Sequence, residues 1–148
     1  MNRAERLDQI SNQLLAAAAL LTRLIGRHLR GEMSRSEAGL LNTLRGGPRR
    51  ITELAELESL AQPTMTLLVK RLEQQGLVAR DRADEDGRVV LVSLTPAGET
   101  ALEGFIAEAG AILREYLAES PDEQLEALAA ATEALEGLVT VLQRGTSR

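Results

Sequence analysis

Leu7, Ile10, Leu14, Ala18, Leu21, Ile25 and His28 recur at intervals of three and four. That spacing draws one stripe along a helix and predicts a long one over roughly residues 4–30. At 1.5 Å per residue such a helix runs ~40 Å, more than a small domain needs to close its own core. Its stripe is therefore expected to meet something outside its own fold unit. Gly31 stands just past the predicted end, where a C′ glycine belongs. Ser34 and Glu37 then read as a capping box. They open a helix with Ala38, Leu41 and Leu44 inward, which Gly46-Gly47-Pro48 ends.

Between residues 49 and 96 the period changes twice. Arg49-Arg50-Ile51 reads as a short strand, and Thr52 as the cap of a helix over residues 53–58. Ser59-Leu60-Ala61 is a turn. The next helix spans residues 62–75, with Pro63 in its first turn and Gly76 as its stop. Met65, Leu68, Val69 and Leu72 form its buried side; Thr64, Thr66, Lys70 and Arg71 fall largely opposite. Residues 77–82 and 89–94 read as strands joined by a six-residue charged loop, too long for a tight hairpin turn, so its tip projects. Two short helices joined by a turn, followed by a hairpin, make a winged helix-turn-helix.

After the hairpin, Thr95 and Pro96 are the N-cap and N1 of a helix carrying Leu102, Phe105, Ile106, Ala109, Ile112, Leu113 and Tyr116. Ser120-Pro121-Asp122-Glu123 reads as a second capping box with Pro at N1. The last helix runs to about Leu142. The predicted fold is mostly α with a small β-hairpin wing (α+β): a winged helix-turn-helix over residues 34–95, and a helical dimerisation region made of residues 1–33 and 96–148.

The chain has 148 residues, is 44% hydrophobic and holds no cysteine, which leaves out disulfides and thiolate chemistry. Its polar start has no signal-peptide h-region, and its longest apolar run, Leu14 to Leu21, is 8 residues. A membrane span needs ~20, so a cytoplasmic location away from the membrane is expected. The net charge of −5 argues against nucleic acid until its distribution is read. Residues 1–33 carry +2, residues 34–95 are balanced, and residues 96–148 carry −7. A local basic stripe decides DNA contact, not the sum. One histidine and no cysteine make a metal site improbable, and no nucleophile–base pair, paired catalytic carboxylates or glycine-rich phosphate loop stands out. Neither an enzyme nor a cofactor is expected.

Four segments together carry a family resemblance: Gln62 to Glu73, with its Thr-x-Thr start and Arg-Leu-Glu finish; Gly76-Leu77-Val78-x-Arg80; Asp86-Gly87-Arg88; and Ser93-Leu94-Thr95-Pro96-Ala97-Gly98. With the order of helices around them, the chain resembles the MarR family, winged helix-turn-helix transcription factors of bacteria and archaea. The resemblance implies a homodimeric repressor on a pseudo-palindromic duplex operator, released by a small anionic aromatic effector. Two positions depart from the family pattern. Leu67 stands where Arg is frequent, and Gly87 where a second wing Arg is common.

For contact with DNA, Gln62, Thr64 and Thr66 are placed to meet base edges or thymine methyls, and Lys70 and Arg71 to meet phosphate. Pro63 and Thr64 lie in the helix's first turn, where free backbone N–H groups suit phosphate. A merely solvated helix face is the competing reading. In the wing, the resemblance implies that Asp86 orients Arg88 into the minor groove, where a narrow groove concentrates negative potential. The competing reading is a charged tip kept soluble by its acids. Arg80 and Arg82 are candidate backbone contacts, with Ser34, Arg35, Arg49 and Arg50 at the edges. Arg23, Arg27, His28 and Arg30 form the candidate effector wall, since Arg can neutralise a carboxylate or phenolate. His28 lies on the apolar stripe, so a core or interface role weighs more than ligand contact. The rival function is a winged-helix protein-interaction module that binds no DNA.

Overall fold

A computed structural model describes residues 1–82 and 87–145. The elements follow in the order α1 (Arg3–His28), α2 (Arg35–Leu44), β1 (Arg49–Arg50), α3 (Ile51–Leu57), α4 (Gln62–Gln74), β2 (Val78–Arg82), β3 (Val90–Leu94), α5 (Pro96–Leu117) and α6 (Asp122–Gly145). They form two compact units, one over Met1–Gly110 and one beginning at Ala111.

In the first unit the core gathers under the helix-turn-helix. Leu40 and Leu41 of α2, Leu54 of α3, and Met65, Val69 and Leu72 of α4 are fully buried. Val78, Val92 and Leu102 close the core from the sheet and α5. Removing such side chains from water is the main favourable term, about 1.5–3 kcal/mol for each large one. The three strands form an antiparallel sheet in the order β1-β3-β2. Arg49 pairs with Val92, and Val78 through Arg82 pair with Leu94 through Val90.

Local chemistry explains where the elements stop. Ser34 Oγ accepts from the Glu37 amide and Glu37 Oε2 from the Ser34 amide, the predicted capping box. Gly76, at φ 75°, ends α4 in a Schellman motif: its amide donates to Glu73 O, and the Leu77 amide to Leu72 O. Only glycine takes that backbone without strain. Thr95 then stitches the start of α5 to the same corner. Its hydroxyl donates to Gly76 O at 2.6 Å and accepts from the Gly98 amide at 3.0 Å.

Three expectations about helix ends are corrected. α1 stops at His28 through an extended Leu29, and Gly31 does not adopt a positive φ. The Arg30 amide is satisfied instead by Glu108 Oε1 of α5, at 2.9 Å. α3 begins at Ile51, so its N-cap is Arg50 and not Thr52; the Arg50 amide donates to Glu53. Pro121 precedes the first helical residue of α6, and its carbonyl accepts from Gln124 and Leu125. A capping box also opens α1, on Asn2 and Glu5.

Neither α1 nor α6 contains a buried residue. On α1, Leu7, Ile10, Leu20, Leu21 and Leu24 are exposed; on α6, Leu128, Leu135, Leu138 and Leu142 are. No described helix is long and apolar enough to cross a membrane.

Candidate nucleic-acid interface

The face of α4 opposite the core presents Gln62, Pro63, Thr64, Thr66, Leu67, Lys70 and Arg71, all exposed. Their exposure follows from periodicity. Met65, Leu68, Val69 and Leu72 turn one side of the helix inward, which leaves the opposite side of the 13-residue helix to the outside. Ala61 at the N-cap offers no side-chain bond to the first turn, so the N–H groups without an intrahelical partner there are not capped by it. Thr66 Oγ1 donates back to Gln62 O at 2.9 Å, which commits its hydroxyl proton to its own helix.

Two cations expected to meet phosphate also have protein partners. Arg71 Nε lies 3.2 Å from Oε1 of Glu37, the buried charged residue of the described core. Arg80 makes a bidentate contact with Glu73, Nε to Oε2 at 2.9 Å and Nη2 to Oε1 at 2.8 Å. Arg80 belongs to the wing and Glu73 to α4, so the pair braces the wing against the helix. Hydrogen bonding by Arg80 holds the Glu73 carboxyl below its ordinary value, and the Arg80 guanidinium is raised in turn. Neither partnership was visible from spacing alone. The only signal was an acid and a base seven residues apart across the Gly76 corner.

The remaining candidates sit around this pair of elements. Arg88 is exposed, just beyond Gly87 at φ 65°. Arg82 is exposed and packs along Gly87, where an added Cβ would lie 3.0 Å from its Nη1. Asp86 lies outside the described residues. Ser34 is taken up in its capping box. Arg35 lies against Gly26 of α1, where a Cβ would come 2.9 Å from its Cδ. Arg49 is half-buried, with Nη1 donating to Pro48 O at 3.3 Å, and Arg50 is exposed.

The effector candidates divide differently. Arg23, Arg27, His28 and Arg30 are exposed, and His28 Nδ1 donates to Leu24 O at 2.9 Å. None of the four lines the cavity of about 410 Å³ found nearby. Its walls are Gly31, Glu32, Met33, Gln75, Leu77, Ala101, Phe105 and Glu108. It carries two carboxylates and no cation. Among the described residues no group of three His, Asp or Glu side chains is placed to hold a metal.

The MarR family model matches residues 38–90, from within α2 to the first residue of β3. The HTH-type transcriptional repressor MdtR of Bacillus subtilis is 34% identical over 79 residues, 53% of this chain and 51% of that protein. The chain thus spans about half the length of the curated relatives it matches. Solved structures match more widely. A MarR family protein from Bacillus stearothermophilus is 28% identical with a TM-score of 0.65, covering 95% of this chain and 99% of that one. A probable transcriptional regulator from Pseudomonas aeruginosa is 31% identical with a TM-score of 0.57, covering 86% and 97%. With the helix-turn-helix, its wing and the helices on both sides in the same order, this chain belongs to the MarR family of winged helix-turn-helix regulators.

Proposed function

We propose that the chain is a transcriptional regulator that binds a pseudo-palindromic duplex operator as a homodimer. Residues 34–95 read the DNA, and residues 1–33 and 96–148 pair two copies. The observation that carries this reading is the exposed Gln62, Thr64, Thr66, Lys70 and Arg71 face of α4, with Arg88 exposed in the wing behind it. Such a helix fits the major groove, and a wing Arg fits the adjoining minor groove. The exposed leucines of α1 and α6 support pairing, because a patch covered by its own copy is the commonest closed solution. Twofold pairing sets the two α4 helices about 34 Å apart along the duplex.

Repression relieved by a small anionic aromatic compound is the finer part of the proposal. The cavity beside Glu32 and Glu108 would repel such an anion, so Arg23, Arg27 and Arg30 are the groups left to hold it.

The test is an anisotropy titration against duplexes selected from random DNA, with light scattering of the free protein. Affinity is expected to fall ~100-fold between about 50 and 200 mM salt if four phosphates are neutralised. Arg88→Ala is expected to weaken binding several-fold, and the free protein to scatter at twice the 16.0 kDa chain mass. Failure to bind any duplex at low salt would favour the protein-interaction module instead.

A further inference from the structure

Leu67 is 68% exposed, yet it sits at the centre of the outward face of α4. Positions 63, 67, 70 and 74 lie one helical turn apart and point away from Met65, Val69 and Leu72. A leucine there leaves most of its surface in water. Its neighbours on that face, Lys70 and Arg71, are cationic, and the exposed Thr66 beside it carries a methyl group while its hydroxyl proton is committed to Gln62 O. The patch is thus apolar at its centre with cations toward its C-terminal side. That chemistry is complementary to one feature of a duplex: the thymine C5-methyl, the apolar group in the major groove, flanked by phosphates.

We infer that Leu67 is a specificity residue that reads a thymine methyl in each operator half-site. This rests on the DNA-binding reading above and deepens it. An arginine at this position would hydrogen-bond a guanine or a phosphate. Leucine can do neither, and gains only by removing its own surface and that of a methyl from water. Thr66 extends the same apolar strip, so adjacent thymines are the expected pattern. One lost methyl contact corresponds to roughly fourfold in affinity.

The experiment uses the full chain and an operator selected from random duplexes. Each thymine is replaced in turn by deoxyuridine, which deletes the C5-methyl and leaves every hydrogen-bonding group. Wild type is expected to lose roughly fourfold at one or two positions per half-site. Leu67→Ala is expected to bind the thymine operator more weakly and to lose that discrimination at one of these positions. Leu67→Met, which keeps an apolar side chain, is expected to retain it, and Thr66→Ser to keep it at the Leu67 position. Circular dichroism checks that each variant is folded. Tolerance of every deoxyuridine within twofold, or an undiminished penalty in Leu67→Ala, overturns the assignment while leaving DNA binding intact. Absence of any duplex binding overturns the DNA reading itself, and this inference with it.

Discussion

Nε of Arg71 lies 3.2 Å from Oε1 of Glu37, joining α4 to the first turn of α2. The carboxylate side chain is 2% exposed and the guanidinium side chain 60%. The contact is an ion pair that falls short of a hydrogen bond. Oε1 therefore has no hydrogen bond, while Oε2 accepts from the Ser34 amide at 2.7 Å. A buried carboxylate is costly unless donors and a cation meet it. Arg71→Ala is expected to lower stability by about 1–3 kcal/mol, because it removes the cation from a group that cannot reach water. Urea denaturation of the DNA-free protein measures this. A purely phosphate-binding Arg71 would leave the midpoint where it was.

The Glu73–Arg80 brace has a pH signature. Hydrogen bonding by Arg80 lowers the folded-state pKa of Glu73, so the folded protein binds fewer protons there than the unfolded chain does in acid. The brace stabilises fully above the ordinary carboxylate pKa of about 4.3, and its contribution fades as pH falls through the lowered folded value. Glu73→Gln is expected to flatten that acid limb of the stability curve and to leave the neutral-to-basic limb parallel to wild type. Thermal melts across the acid range check it. An identical pH dependence in the variant would show that the pair contributes nothing.

Gly98 leaves no room for a side chain. A Cβ at this position would lie 2.0 Å from Leu77 O and 2.7 Å from Leu94 Cδ1. The obstacle is backbone, so α5 has to move away from the corner that Thr95 holds to Gly76 and Leu77. Gly98→Ala is expected to cost at least about 1–3 kcal/mol, the usual range for overpacking, despite alanine's better helix propensity. The exposed Gly104, with nothing within 4 Å of an added Cβ, provides the contrast. Gly104→Ala is expected to be neutral or slightly stabilising in the same melt.

Where one residue type permits one backbone, the structure was legible from the chain. Ser34 and Glu37, Thr95 and Pro96, and Gly76 placed the ends of α2, α5 and α4 through local bonds. The inward side of α4 was legible because tertiary burial and the helical period agree there. Gly31, Thr52 and Ser120 misled for a common reason. Each has the right type for a cap, but a neighbour's geometry supplied the ending: the extended Leu29, Arg50 and Pro121. The ion pairs of Glu37 with Arg71 and of Glu73 with Arg80 were not legible, because they join elements whose approach depends on the packed core. The cavity between Met33 and Phe105 escaped for the same reason; its walls come from separate elements brought together only by folding.

The 26-residue α1 and the 24-residue α6 have no buried residue in the single chain. Helicity in water is marginal without a packed face, so their persistence draws on whatever covers them. If that cover is a second copy, the apparent Tm rises with protein concentration by mass action. Copy number would then set both how many molecules exist and how long each survives proteolysis. A cell holding few copies would possess disproportionately little competent regulator, and promoter control would steepen with expression level without any cooperative contact on the DNA.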